Sequence, residues 1–162
     1  MQTSPPTLLG EARIAELMHA YLTAEYRWEL DGRWLDLRIG APTPEVWARF
    51  PEAACAGLLS AWNPCSVPRS EAANREADRH LHRDLIDTGL PIRAAFCSAT
   101  NRTWREPSWL VLGMSAAAFD ALSRRYEQLA TLFWTPDGSI RLRVDAARPA
   151  NFLDDRRIDW LR

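Results

Sequence analysis

Three amides and one carboxylate are the residues of this chain best suited to chemistry. Asn63, Asn74 and Gln128 carry groups that both donate and accept hydrogen bonds, and Glu106 carries a group that takes or gives a proton. Ser66 and Ser70 add hydroxyls, and Trp104 adds an aromatic face suited to stacking. The focus is Ser60-Ala61-Trp62-Asn63-Pro64-Cys65-Ser66, where an apolar run stops at Trp-Asn-Pro and a helix opens at Ser70. Two chemistries fit. Amides that read a ligand's hydrogen-bonding edge make a binding site, whereas Glu106 acting alone as general base or acid, with Asn63 and Gln128 orienting substrate, makes an enzyme. No carboxylate partner for Glu106 is evident. Cys65 has no histidine near it in sequence to act as base, and His80 and His82 fall on different faces of one helix, a poor metal site.

Asn74 carries its own argument. At 100° per residue it falls within the stripe of Ala77, Leu81 and Leu85. An amide buried there needs partners, because leaving it unpaired costs roughly 1–3 kcal/mol. It also sits near the helix start, where free N–H groups, Arg69 and Arg105 would favour an anion.

The elements that position these residues follow from periodicity. Leu8 to Ala24 reads as a helix with Ile14, Leu17, Met18, Tyr21 and Leu22 on one face. Tyr26, Trp28 and Leu30 alternate with charges, then Asp31-Gly32 turns the chain into Leu35, Leu37 and Ile39. A two-residue loop pairs Trp28 with Leu35, Tyr26 with Leu37, Arg27 with Asp36 and Glu25 with Arg38. Thr43-Pro44 caps a short helix to about Phe50. Ala56 to Trp62 reads as a buried strand, Ser70 to Thr88 as a helix stopped by Gly89, and Ile92, Ala94 and Phe96 as a strand's apolar row. Asn101-Arg102 is a turn, and Ser108 to Gly113 a strand. Ser115 caps a helix with the stripe Ala118, Phe119, Leu122, Tyr126 and Leu129, and strands at 130–134 and 140–144 follow.

From Ala56 onward this is strand, helix, strand, strand, helix, strand. The fold class expected is therefore α+β: a ferredoxin-like βαββαβ core, mostly antiparallel, with an N-terminal helix and hairpin added. That topology sets the strand ending at Trp62 beside the strand from Ser108. It brings Asn63, Ser66, Ser70, Asn74, Glu106 and Gln128 to one sheet edge, with Trp104 at the rim. One domain, 1–162, is expected, with an ordered core at about 8–144 and a loosely docked C-terminal tail at 145–162.

Composition narrows the classes. Apolar residues make up 47% and charged residues 25%, as in an ordinary globular domain. The net charge is −1, so neither nucleic acid nor an acidic membrane is an expected partner. Met1 to Thr7 lacks the features of a secretory signal, and no apolar run is long enough to span a membrane. The three cysteines have no CxxC spacing, which points to reduced thiols and a cytoplasmic location. No P-loop, GxGxxG, GxSxG or HExxH occurs, so no cofactor or metal is expected.

The same residues carry a family resemblance. Ser60-Ala61-Trp62-Asn63-Pro64, the later Ser70 and Asn74, Trp104-x-Glu106-Pro107-Ser108 and Tyr126-Glu127-Gln128 resemble the domain of unknown function 3293 family of bacterial proteins, over roughly Leu17 to Val144. Tyr21 and Tyr26 resemble that family's N-terminal tyrosines. Ser60 stands where Thr is usual and Glu127 where Gly is usual. The resemblance implies no activity.

The leading expectation is a domain that binds a small polar, nucleotide-like ligand at the Asn63/Glu106/Gln128 edge. Amides read the ligand, Trp104 stacks on it and the helix start holds an anionic group. The enzyme reading requires a cleft open to water and a raised Glu106 pKa. A third reading is a protein-interaction module using an exposed sheet edge or Phe152, Ile158, Trp160 and Leu161 of the tail. A buried network that only fixes the fold accounts for Asn74, Glu106 and Gln128 as well.

Overall fold

The computed structural model describes residues 9–101 and 104–162. Met1 to Leu8 and Arg102, where the first helix's expected start and half of a turn fall, lie outside them. The first helix, α1 (Glu11–Thr23), buries Ile14, Leu17 and Met18. The hairpin follows as β1 (Glu25–Leu30) and β2 (Arg33–Leu37). Asp31 and Gly32 take φ of 50° and 80°, the pair of positive values that a tight two-residue hairpin turn needs. The turn therefore sets the register, with Trp28 opposite Leu35, Tyr26 opposite Leu37 and Arg27 opposite Asp36. Arg27 and Asp36 form an ion pair at 3.0 Å. β2 stops at Leu37, so Arg38 has no strand partner, and Glu25 pairs with Ser98 on its other side.

The remaining elements are α2 (Pro44–Arg49), β3 (Ala56–Leu59), α3 (Glu71–Asp87), β4 (Ile92–Ser98), β5 (Arg105–Leu112), α4 (Ala116–Arg125), β6 (Ala130–Trp134), β7 (Arg141–Val144) and β8 (Ile158–Trp160). The architecture is α+β. Its eight strands run in the order β2-β1-β4-β5-β3-β6-β7-β8, and every neighbouring pair except β7–β8 is antiparallel. β3 and β5 are adjacent, as the placement of Asn63 beside Glu106 requires.

Alternation along the strands makes two cores. Leu58, Leu110, Leu132 and Leu142 face α1 and α2. Leu59 and Val111 face the other way, onto Leu81 and Leu85 of α3 and Phe119 of α4. Each such side chain contributes roughly 1.5–3 kcal/mol by leaving water. The sheet curls around the first core. After β2 the Gly40 N–H donates to the Ile140 carbonyl at 2.8 Å, and the Ile140 N–H donates to the Ala41 carbonyl at 3.0 Å. The loop beyond one edge of the sheet thus meets the residue preceding β7.

Several expectations need correction. β3 ends at Leu59, not Trp62, and just beyond it the Ser60 hydroxyl accepts the Trp62 N–H at 3.0 Å. β5 starts at Arg105, three residues early. Glu106 and Pro107 pair with Cys97 and Phe96 of β4, while β3 has already ended opposite Trp109, so Pro107 sits where one side needs no ladder bond. In β4 the row Ile92, Ala94 and Phe96 lies on the side away from the first core, with Ile92 packed on the second core and Ala94 exposed, and Ala95 with Cys97 packs into the first core. Ala118 is exposed, and Ser123 is buried on α4 instead. The Thr43 hydroxyl caps nothing and accepts the Trp134 indole N–H at 2.7 Å. Ser70 and Ser115 do cap, accepting the Ala73 and Ala118 N–H groups. Residues 145–162 are not a loose tail. β8 adds to β7 with Ile158 opposite Leu142, Arg141 holds Asp159 at 2.6 Å, and Phe152 and Ile158 are buried in the chain's own core.

Candidate functional site

The turn after β3 is built on left-handed backbone. Asn63, Cys65 and Ser66 take φ of 43°, 51° and 58°, and Glu127, before β6, takes 53°. The two segments are joined where the Cys65 N–H donates to the Glu127 carbonyl at 2.9 Å. Asn tolerates this conformation, but for Cys, Ser and Glu it costs roughly 1–2 kcal/mol each, so the surrounding bonds must hold it.

Those bonds centre on Asn63 and Asn74. The Asn74 amide is 2% exposed, and all of its capacity is used. Its Oδ1 accepts from the Asn63 N–H at 2.9 Å and from Arg69 Nε at 2.8 Å. Its Nδ2 donates to Asn63 Oδ1 at 2.8 Å and to the Arg69 carbonyl at 3.4 Å. Arg69 Nη2 donates to the Ala61 carbonyl at 2.9 Å. The remaining donor of Asn63, its Nδ2, reaches Glu106 Oε1 at 2.7 Å. Gln128 Nε2 donates to the carbonyls of Trp62 (3.2 Å) and Tyr126 (3.1 Å), tying both segments together.

Glu106 points into a cleft of about 400 Å³ between α1 and the sheet. Three strands present a row across its floor: Tyr26 of β1 opposite Cys97 of β4, and Cys97 opposite Glu106 of β5. Tyr21 of α1 shares a hydrogen bond with Ser66, and the Tyr26 hydroxyl donates to the Tyr21 carbonyl at 2.7 Å. Leu17, Leu58, Leu132 and Leu142 make the walls largely apolar, and Trp104 lies at the rim, 37% exposed.

This environment moves every acid on the floor the same way. Glu106 is 8% exposed, and burial pushes its carboxyl up to about 7 against the lowering effect of the Asn63 bond. Burial pushes Tyr21 up to about 12 despite its bond to Ser66, and raises Tyr26 well above the ordinary phenol range. Cys97 is driven up by burial and then by the neighbouring Glu106 charge. A carboxyl titrating near neutrality beside a cleft can bind a ligand or move a proton.

Of the residues singled out in the sequence, Ser66, Trp104, Glu106 and Gln128 line the cleft. Asn63 and Asn74 stand behind Glu106 as its support. Ser70 is exposed at the helix start, outside the cleft lining, with its hydroxyl engaged in the cap. The expected anion position at the start of α3 is therefore not part of the cleft, and Arg69 is held by Asn74 and Ala61. Tyr21, Tyr26 and Cys97 were not singled out as site residues, although Tyr26 lies in the inward row of β1. Their place depends on how α1 and β4 dock. His82 stacks on Trp109, with ring centroids 4.3 Å apart, away from this site. Among the described residues no group of three or more His, Cys, Asp or Glu side chains is placed to hold a metal. No helix among them is long and apolar enough to cross a membrane.

No curated protein and no solved structure matches this chain. Residues 59–131 match the family model described as Protein of unknown function (DUF3293). That stretch runs from the end of β3 into β6 and contains Asn63, Asn74, Glu106 and Gln128. Over this segment the chain is similar to the DUF3293 family.

Proposed function

We propose that the chain is a small-molecule-binding domain whose site is the cleft between α1 and the sheet, with Glu106 as its polar anchor. The observation that carries this reading is a carboxyl 8% exposed, supported from behind by Asn63, at the floor of a largely apolar cleft of about 400 Å³. Concave apolar sites with few polar groups are where small ligands bind. The ligand has an apolar body and one hydrogen-bonding end, with Trp104 stacking at the rim. The test is thermal unfolding across a metabolite panel, comparing wild type with Ala20→Trp. Ala20 is an exposed helical residue lining the cleft, so the indole blocks the entrance without disturbing the core. A compound that stabilises wild type and not the variant supports the reading; equal stabilisation of both rejects it.

An enzyme using Glu106 as general acid or base is the second reading, favoured by the carboxyl's titration near 7 within a cleft. A Glu106→Gln protein that binds the ligand and no longer converts it would carry that reading; unchanged turnover would reject it.

The segment from β3 to β6 reads as a ferredoxin-like unit. Its support is the order β4-β5-β3-β6 with antiparallel neighbours and the packing of α3 and α4 on one face. The free cysteines Cys55, Cys65 and Cys97 support a reducing, cytoplasmic setting.

A further inference from the structure

Among the described residues Glu106 is an acid without a basic partner. Among the described residues its hydrogen-bond partner is the neutral amide of Asn63. The other groups facing it are Tyr21 from α1, Tyr26 from β1 and Cys97 from β4, all of them acids themselves. The described arginines close by, Arg105, Arg69 and Arg13, are engaged elsewhere. Arg105, the residue before it, projects to the opposite face and lies over the Phe96 ring at 3.7 Å. Arg69 is bonded to Asn74 and Ala61, and Arg13, which lines the cleft, pairs with Glu16 at 2.7 Å.

A carboxylate removed from water is stable only beside an opposite charge or a full set of donors. The described residues supply one donor, and the remaining oxygen borders a cleft with largely apolar walls. We propose that the cleft takes a cationic small molecule, an amine or amidine on an apolar or aromatic body, whose charged group seats on the Glu106 carboxylate. This rests on the reading of the cleft as a binding site. It also assigns the class of ligand: anionic groups such as phosphate meet one carboxyl and two phenols here, with the nearby Arg13 already paired to Glu16.

The test uses three probes with one ring and three charges: benzamidine, benzamide and benzoate. Each is titrated into the full chain, with amide NMR shifts followed at Tyr21, Cys97, Glu106 and Gln128. Benzamidine is expected to move these signals and to bind about tenfold more tightly at pH 8 than at pH 6, because the ionised fraction of a carboxyl with a pKa near 7 rises by about that factor. Glu106→Gln is expected to lose at least tenfold in benzamidine affinity, and Ala20→Trp, a surface change that leaves Glu106 in place, should lose binding as well. Benzamide or benzoate binding the same residues as tightly as benzamidine, or benzamidine affinity falling with pH, overturns the cationic class and leaves the cleft a binding site. If none of the three probes moves cleft signals, the binding-site reading and this inference both fail.

Discussion

Asn63 Nδ2 donates to Glu106 Oε1 across 2.7 Å, joining residues 43 positions apart and linking the left-handed turn after β3 to the inward face of β5. The same amide accepts from Asn74 and from the Arg69 N–H through its oxygen. Asn63 is therefore the point at which the buried network behind the site meets the acid at its floor.

Replacing Asn63 by Gly keeps the backbone free to hold its positive φ and removes only the amide. Glu106 then loses the one influence that lowers its pKa, so its titration is expected to move above 7. Folding stability should fall by roughly 1–3 kcal/mol from the unpaired partners. Asn63→Ala should cost about 1 kcal/mol more, for the Cβ in left-handed backbone. Carboxyl-carbon NMR gives the first quantity and urea unfolding the second. An unmoved titration in Asn63→Gly would show that this bond does not hold the carboxyl down.

Glu106 also makes stability depend on pH with a definite sign. Its carboxyl titrates at about 7 when folded and at an ordinary 4.5 when unfolded. Between those values the folded state holds the extra proton, so stability falls as pH rises through the window, by up to about 3 kcal/mol. Glu106→Gln keeps an oxygen for Asn63 and carries no charge. It should flatten the profile of unfolding free energy between pH 5 and 8 and make the protein more stable than wild type at pH 8. A Gln variant with the wild-type slope would assign that slope to other groups.

The sequence made the network behind the site legible and left the cleft in front of it obscure. Asn74 stands out because an amide in an apolar stripe demands partners, and the strand and helix order from Ala56 onward brings Asn63 to Glu106. The hairpin register follows from Asp31-Gly32 alone. The cleft is different, because it exists only once α1 docks against a curled sheet, and no local pattern encodes that docking. Cys97 is hidden by its neighbours, since Ile92, Ala94 and Phe96 form the more apolar row yet lie on the face away from the cleft. β8 escaped notice because its three residues lie among charges, and its pairing depends on the distant strand β7 and the Arg141–Asp159 ion pair.

Glu127 occupies left-handed backbone at φ 53°, where the family resemblance puts glycine. Its backbone position is fixed by the bond from the Cys65 N–H, so the chain keeps the conformation and accepts the Cβ strain. Glu127→Gly removes roughly 1–2 kcal/mol of strain and adds roughly 0.5–1 kcal/mol of unfolded-state freedom. The expected result is an unfolding midpoint equal to or above that of wild type, whereas Glu127→Val should lower it. A Gly variant clearly less stable than wild type would mean that the Glu127 side chain contributes to folding.

Gly57, in the middle of β3, has a different reason to be glycine. A Cβ there would lie 2.4 Å from Phe119 Cε2 and 2.6 Å from its Cζ. Phe119 is fully buried and packs on Phe133 with ring centroids 5.4 Å apart, so the ring has no room to retreat. The close approach lets α4 settle onto the sheet and so fixes the start of β6, where Gln128 reaches back to Trp62. Gly57→Ala is expected to cost roughly 1–3 kcal/mol through overpacking. Phe119→Leu should cost roughly 1 kcal/mol or more by itself through lost packing. In the double variant the smaller side chain relieves the clash, so the combined cost should fall below the sum by at least about 0.5 kcal/mol. Urea unfolding of the four proteins measures this coupling. Strict additivity would mean that the Phe119 ring is not what excludes a side chain at position 57.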